Sequence, residues 1–142
     1  MAEAVPHGAE AVARAERAEA MYTSLVDSLP GVTYSESLDD QRTLSISPQI
    51  KELLGYTQEE WMADPGLLDE VMHPEDREWV EASCAEANKS GVSWRAEYRM
   101  IARDGRVVWV RDIATLVRSN DGQPLCWQGV MLDITDLKEG GA

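Results

Sequence analysis

Hydrophobic and polar positions alternate most regularly between Val92 and Thr135, and this alternation predicts three β-strands joined by two short turns. The turns are marked by Asp104-Gly105 and by Asn120-Asp121-Gly122, because these residues tolerate the positive φ that a hairpin needs. An antiparallel sheet of three strands must bury at least one face. The rest of the chain is therefore expected to pack against that face of the sheet.

The three strands differ in the number of faces that are apolar. In the first strand, apolar residues alternate with Arg95, Glu97 and Arg99, so its second face is mostly exposed to water. The second and third strands carry apolar residues on both faces, and the main apolar residues of the outer face are Trp109 and Ile113. Such a sheet needs a second cover. The N-terminal helix, or its copy from a second subunit, is predicted to lie on the outer face.

The N-terminal region predicts a helix from about Gly8 to Leu29, because it is rich in the strong helix formers Ala, Glu and Arg. Its apolar residues follow alternating steps of four and three, the a/d spacing of a coiled coil. The pattern fits two interpretations equally well. The stripe forms a dimer with a second subunit, or it packs on its own domain. The stripe consists of Ala11, Ala15, Ala18, Tyr22, Leu25 and Leu29.

Between this helix and the three strands, the pattern predicts two more strands and several short helices. The strands are expected near residues 32–37 and 43–47, which makes five in all. Ser47 is expected to cap the next helix, and Thr57 with Glu60 forms a capping box for another. A longer helix is predicted to begin at His73-Pro74-Glu75-Asp76, and Val80, Cys84 and Ala87 share one of its faces.

Composition narrows the range of partners. The chain has 142 residues, enough for one domain with a genuine core, and a net charge of −13, which repels nucleic-acid phosphates and anionic lipid heads. No segment is apolar enough to cross a bilayer or to serve as a signal peptide, so a cytoplasmic location is expected. Cys84 and Cys126 lack the spacing of metal ligands and are expected to be reduced core thiols.

The order of these elements and several short motifs resemble the PAS fold over about residues 25–138. Each motif is weak alone, but the ordered set is specific. PAS domains are sensory and dimerisation modules that precede output domains such as histidine kinases, diguanylate cyclases and transcription regulators. The matching motifs are Ser47-Pro48, Leu54-Gly55-Tyr56, Thr57 with Glu59-Glu60, His73-Pro74-Glu75-Asp76-Arg77, Asp104-Gly105 with Trp109, and Gly129-Val130 leading into Asp133-Ile134-Thr135.

The resemblance implies an α+β fold, with a five-stranded antiparallel sheet, short helices on one face and the N-terminal helix flanking the other. It divides the chain into a flanking, dimerising helix (1–24), the PAS domain (25–135) and the start of a signalling linker (136–142). The dimer interface is predicted at Ala15, Ala18, Tyr22, Leu25, Trp109 and Ile113. In the family, the motif that Asp133, Ile134 and Thr135 match passes the signal to an exit helix, and the cap it forms is itself the coupling point.

PAS cavities lie between the inner sheet face and the helices, and the resemblance orients the strands accordingly. Most inward residues are apolar, which favours a small apolar ligand, although they could also simply fill the core. Asp112 is the exception, because a carboxylate that faces the core must be paired, hydrogen-bonded or hydrated. It is expected to contact a polar ligand group or to bond to a neighbour such as Tyr98 or a backbone amide. The candidate cavity residues are Trp94, Tyr98, Met100, Val110, Asp112, Ala114, Trp127 and Met131 on the strands, with Val80 and Cys84 on the long helix; Ala96, Leu116 and Gly129 also point inward.

Two cofactors of the family fit this sequence poorly. Haem-binding members supply an axial histidine from the helices, whereas His73 is explained by its position at a helix start and His7 by its place in the tail. Flavin photoreceptors of the LOV type carry a reactive Cys in a different motif and amide side chains on their strands. Val110 and Met131 occupy the strand positions where those amides would be expected.

Catalysis is also not expected from this chain. His73, Glu75 and Asp76 are acid and base types, but they are adjacent at a helix start and no nucleophile or phosphate loop accompanies them. The sequence therefore predicts a non-catalytic sensory and dimerisation module, homodimeric, whose output domain follows residue 142. The alternative is a ligand-free scaffold that only sets the oligomeric state.

Overall fold

The computed structural model describes residues 4–39 and 42–140, with side chains within 8–39 and 42–139. The outer ends of the two predicted flanking segments, residues 1–3 and 141–142, lie outside this part. The predicted order of five strands, three short helices and one longer helix is confirmed. The elements are α1 (Ala4–Ser28), β1 (Val32–Glu36), β2 (Thr43–Ile46), α2 (Ile50–Leu54), α3 (Gln58–Ala63), α4 (Leu67–Val71), α5 (Pro74–Ser90), β3 (Trp94–Ile101), β4 (Val107–Arg118), β5 (Pro124–Asp133) and α6 (Thr135–Gly140).

The five strands form one antiparallel sheet in the order β2-β1-β5-β4-β3. The predicted hairpin turns are present, and Gly105 and Gly122 adopt φ values of 90° and 85° in them. After β5 crosses back beside β4, its other edge pairs with β1, so that Tyr34 lies opposite Gly129. The first and last strands, β1 and β5, are therefore neighbours inside the sheet, and β1 lies beside the three consecutive strands β3, β4 and β5.

Short-range signals explain most of the helix boundaries. Thr57 and Glu60 form the predicted capping box at α3, and Gly55 ends α2 in the left-handed conformation. The predicted cap at Ser47 is wrong. Its hydroxyl accepts a hydrogen bond of 2.9 Å from the backbone N–H of Thr33, because β1 runs beside it and offers an unpaired donor. Ser47 therefore ties β2 to β1.

The core lies between the sheet and helices α2 to α5. Its most completely buried side chains come from both layers, which is what a two-layer α+β arrangement requires. They include Ile50 and Leu54 on α2 and Met100, Val108 and Val110 on the sheet, each fully shielded from solvent. No helix in the described part of the chain has the length and apolarity that a membrane span requires.

The described hydrogen bonds between helix α1 and the rest of the domain lie near the C-terminal end of the helix. The side-chain amide of Gln49 donates hydrogen bonds of 2.9–3.0 Å to the carbonyls of Val26, Asp27 and Leu29. The Tyr22 hydroxyl accepts one of 2.8 Å from Gln128 on the outer sheet face. The helix also runs through the predicted boundary between residues 24 and 25 and ends at Ser28, because the break comes from Pro30-Gly31.

The apolar stripe of α1 is not covered within a single chain. Tyr22 is 46% exposed and Leu25 is 62% exposed, and Ala15 and Ala18 are exposed as well. Packing of the whole stripe on its own domain is therefore not observed, since α1 flanks the outer face at one end only. Coverage by a second subunit stays a prediction.

Candidate functional site

A cavity of about 70 Å³ that water-sized molecules can occupy lies between the inner sheet face and helices α3, α4 and α5. Eight of the ten predicted residues line it, with α5 forming one wall and β3, β4 and β5 the other. They are Val80, Cys84, Trp94, Tyr98, Asp112, Ala114, Trp127 and Met131.

Two predicted residues, Met100 and Val110, are fully buried but do not line the cavity. Met100 forms a backbone bridge with Met72 at the end of α4, so the helical layer touches the sheet directly there and leaves no gap. Alternation along the strands identified both residues as inward-facing. It could not show how closely the helices approach each of them.

Part of the lining comes from β1, β2 and the short helices, which sequence reasoning did not assign to the site. A signal was available for β1, because Val32, Tyr34 and Glu36 alternate in step and share one face. For the short helices no comparable periodicity exists. The residues that were missed in these elements or beside them are Tyr34, Glu36, Thr43, Ile46, Trp61, Leu68 and Met72. Ala87 on α5 was missed as well, although it shares a helix face with Val80 and Cys84.

Asp112 is a buried carboxyl group in the cavity wall, with 4% of its surface exposed. The Tyr34 hydroxyl donates a hydrogen bond of 2.5 Å to its Oδ1, and the Tyr98 hydroxyl donates one of 2.7 Å to its Oδ2. The predicted bond to Tyr98 is therefore confirmed. Burial raises the pKa of Asp112 to about 6, because desolvation of the charged form outweighs the two hydrogen bonds that favour it.

Glu36 is a second carboxyl group in the same cavity. Burial, and then the negative charge of Asp112, raise the pKa of Glu36 to about 7. Glu36 is half-buried, and no hydrogen bond or ion pair to its carboxyl group is found among the described residues. Two acidic groups from different strands, β1 and β4, therefore face one small space.

Two tryptophans in the cavity wall, Trp94 and Trp127, use their indole N–H groups in hydrogen bonds to α5. The indole N–H of Trp94 donates to the hydroxyl of Ser83 at 2.7 Å, and that of Trp127 donates to the side-chain oxygen of Asn88 at 2.8 Å. Both partners lie on α5, so these bonds also fasten the helix to the sheet. What the two indoles leave for an occupant of the cavity is mainly apolar ring surface.

Cys84 does not have the character of a reactive thiol. Burial first, and the nearby carboxylates second, raise the pKa of its thiol to about 12, so it stays protonated at neutral pH. Cys84 and Cys126 are both free cysteines, as the sequence predicted. Cys84 therefore contributes a small apolar surface to the cavity wall.

The start of α5 is tied to β3 by a charge pair that the sequence did not reveal. Asp76 accepts hydrogen bonds from Arg99 at its backbone N–H (2.8 Å), Nε (3.0 Å) and Nη2 (2.9 Å), and from the Trp79 indole at 3.0 Å. These bonds, led by those of the Arg99 side chain, lower the pKa of Asp76 to about 2. His73 caps α5 by accepting from the Glu75 N–H, which confirms its predicted role at the helix start.

On the outer sheet face, two cations contact the ring of Trp109. The Arg99 guanidinium lies 5.3 Å from its centroid and the Lys138 ammonium, on α6, lies 4.9 Å from it. Trp109 and Ile113, predicted as interface residues, are half-buried on this face in the single chain. Trp109 therefore connects β3 and β4 with α6.

The predicted signal-coupling residues fasten α6 to β4. The Trp109 N–H donates to the Thr135 hydroxyl at 3.0 Å, and the Ile134 N–H donates to the Trp109 carbonyl at 2.9 Å. The Thr135 hydroxyl in turn donates to the Asp133 carboxylate at 2.6 Å, while the Ile134 side chain is buried. Ile134 and Thr135 therefore join the first turn of α6 to the backbone of β4 at Trp109.

Comparison with known proteins agrees with this architecture. The sequence matches the family described as the PAS fold over residues 43–131. It is 38% identical to the methyl sulfide methyltransferase-associated sensor of Methanosarcina acetivorans over 66% of this chain and 9% of that protein. It is 32% identical to the two-component sensor PprA of Pseudomonas aeruginosa over 87% of this chain and 13% of that protein.

A solved structure shows the same fold in a second context. The N-terminal domain of a diguanylate cyclase with a PAS/PAC sensor, from Marinobacter aquaeolei, is 35% identical to this chain with a TM-score of 0.66. The match covers 77% of this chain and 98% of that domain. The two sensor proteins are far longer than the part that this chain matches, which amounts to about a tenth of each.

Proposed function

This chain belongs to the PAS fold family, and on that premise we propose that it binds a small ligand in its cavity, dimerises, and relays the bound state to a C-terminal output domain. It is a PAS sensor domain of the kind found in signalling proteins, including two-component sensors. The proposed role is non-catalytic. A histidine kinase or a diguanylate cyclase is the kind of output we expect, and one structure that the chain resembles comes from a diguanylate cyclase.

The observation that carries ligand binding is the cavity beside Asp112. Burying a carboxyl group is costly, and a domain that only needed a stable core would be better served by an apolar side chain there. Tyr34 on β1 and Tyr98 on β3 both bind this one group on β4. A ligand that changes the charge or contacts of Asp112 would therefore act on three strands together.

The relay is supported by the short path from Asp112 to the exit helix. Trp109 lies three residues before Asp112 on β4, and its backbone holds Ile134 and Thr135. A small shift of β4 within the sheet would change the direction of α6, and a ligand can drive that shift only by binding the two states unequally. The output domain would read the position of α6.

Native mass spectrometry of protein purified from its own cytosolic extract tests ligand binding. We expect a retained small molecule in the wild type and its loss in Ala114→Leu, which fills the cavity. Ala85→Leu, at an exposed position of α5, is the matched control and should keep the ligand. If no condition yields a bound molecule, the ligand-free scaffold is the correct alternative.

Dimerisation is proposed through the exposed stripe of α1 and the outer sheet face. A contiguous apolar stripe of this kind on a surface helix usually marks a contact. Deleting residues 1–22 is expected to convert a dimer to a monomer in light scattering. Ala18→Glu, on the stripe, should weaken the dimer, whereas Ala20→Glu, on the opposite side of the helix, should not. An unchanged oligomeric state after the deletion would contradict this interface.

A further inference from the structure

We propose that the ligand of this cavity is a small organic ammonium ion, bound by the carboxyl groups of Glu36 and Asp112 and by the aromatic rings of the cavity wall. This inference rests on the proposed function, because it presupposes that the cavity holds a ligand. It replaces the expectation of an apolar ligand, because Glu36 adds a second carboxyl group to the cavity.

The first argument is charge balance. Glu36 and Asp112 both line the cavity, while no Lys, Arg or His is found among its described lining residues. Buried carboxylates in proteins are normally paired with a cation or a metal ion, since desolvation alone disfavours them strongly. Here the two tyrosine hydroxyls supply hydrogen bonds to Asp112 but no positive charge. The missing countercharge is what a bound cation would provide.

The second argument is the composition of the wall. Five aromatic rings line the space, and the indole N–H groups of Trp94 and Trp127 are already bonded to α5. Aromatic rings attract cations electrostatically and pack well against their alkyl groups, which is how quaternary ammonium ligands are recognised. A carboxylate with aromatic rings around it selects an ion that is charged at one point and apolar elsewhere.

The third argument is size. A cavity of about 70 Å³ can hold on the order of five water molecules, because each needs about 10–15 Å³ measured in this way. An ammonium ion with a few carbon atoms fits this space, and a haem or a flavin does not. Met131 and Cys84 on the wall are polarizable and suit alkyl groups of slightly different shape.

Ionisation of the carboxyl groups supplies an independent signature. The titratable groups near Glu36 are Asp112 on β4, Tyr34 on β1, Tyr98 on β3 and Cys84 on α5. The pKa values of the tyrosines and of Cys84 are raised, so these three groups stay neutral below pH 8. A bound cation favours the ionised carboxylates, so binding should release protons and strengthen as the pH rises from 6 to 8.

Isothermal titration calorimetry of the 142-residue protein with a matched pair of ligands tests the inference. Choline and 3,3-dimethylbutan-1-ol have the same shape and differ in one positive charge. We expect choline to bind at least about tenfold more tightly. Glu36→Gln should weaken choline binding by about tenfold or more and leave the alcohol unchanged. Glu86→Gln, an exposed carboxyl on α5, carries the same change of net charge and should have no effect.

The outcomes separate this inference from the proposed function. Equal affinity for choline and the alcohol overturns charge selection but leaves a ligand-binding cavity in place. Absence of choline binding at millimolar concentration also overturns the inference, and the proposed function then stands or falls on the molecule retained in mass spectrometry. Choline binding that Glu86→Gln weakens as much as Glu36→Gln would show general charge attraction and would likewise overturn it.

Discussion

Tyr34 crosses over Gly129 of the neighbouring strand, and its ring occupies the space that a side chain at position 129 would need. A Cβ there would lie 2.5 Å from the Tyr34 Cζ and 2.8 Å from its Cε1, well inside van der Waals contact. Because Gly129 lies between β1 and β4, its missing side chain lets the Tyr34 hydroxyl reach Asp112 across the width of β5. The hydrogen bond between β1 and β4 thus depends on a glycine that takes no part in it.

Gly129→Ala is expected to push Tyr34 away from Asp112 and to lower the free energy of unfolding by about 1–3 kcal/mol, the usual cost of overpacking a core. Urea denaturation measures the loss. Gly8→Ala on α1 is the matched control, since a Cβ there would meet no atom within 4 Å. If both variants were equally stable, the ring would have room to move and the close approach would not constrain Tyr34.

Glu36→Gln is expected to stabilise the unliganded protein at pH 8 and to have little effect near pH 4. The pKa of Glu36 is raised from 4.5 in the unfolded chain to about 7 in the fold. The wild type therefore loses stability as the pH rises through this window, by up to about 3 kcal/mol, and glutamine does not titrate. Denaturation at both pH values measures this difference; Glu86→Gln should show none. A gain in stability that does not depend on pH would contradict the raised pKa of Glu36.

Asp76→Asn is expected to destabilise the protein by about 2–4 kcal/mol at pH 7, because it removes the buried carboxylate that accepts from Nε and Nη2 of Arg99 and leaves only the exposed Glu75 as its charged partner. Since the pKa of Asp76 is lowered to about 2, the advantage of the wild type should disappear as the pH falls from 4 to 2. Glu75 binds the same guanidinium with a side chain that is 71% exposed. Glu75→Gln should therefore cost less than about 1 kcal/mol. Similar losses of unfolding free energy in Asp76→Asn and Glu75→Gln would show that the burial of Asp76 does not strengthen its bonds to Arg99.

Thr135→Val is expected to remove the acceptor of the Trp109 N–H while keeping the shape of the side chain. Exchange of the Trp109 amide hydrogen, followed by NMR, should become about five- to tenfold faster, as the loss of one hydrogen bond predicts. Thr135→Ser keeps the hydroxyl and should retain slow exchange. Fast exchange in both variants would mean that the methyl group, and not the hydroxyl, holds α6 on β4.

Much of the fold could be predicted because its signals are local. The alternation of β3, β4 and β5, the glycine turns and the capping box at Thr57 each need only a few neighbouring residues. Six of the eight predicted residues that line the cavity followed from that alternation once the inner face was known, and Val80 and Cys84 followed from the helical spacing of α5. Alternation alone could not show which face points toward the helices, because both faces of β4 and β5 are apolar. That assignment came from the resemblance to the PAS fold.

The remaining features depend on long-range contacts that a local pattern does not contain. Asp76 was interpreted as a helix-start residue, and its pairing with Arg99 joins positions 23 residues apart. Glu36 was missed because β1 is short, although its alternation with Tyr34 pointed inward. Gln49, which caps the end of α1, is a polar residue near a helix start, and its sequence context gives no sign of that partner.

The attachment of α1 through Gln49 gives this helix the mechanics of a lever. With 25 residues it is about 37 Å long, and its described contacts lie near its C-terminal end. A rotation of about 5° around these contacts would move the N-terminal end of the helix by about 3 Å, because a helix is rigid along its length. A rearrangement too small to alter the fold of the domain would thereby be magnified at its N-terminal end.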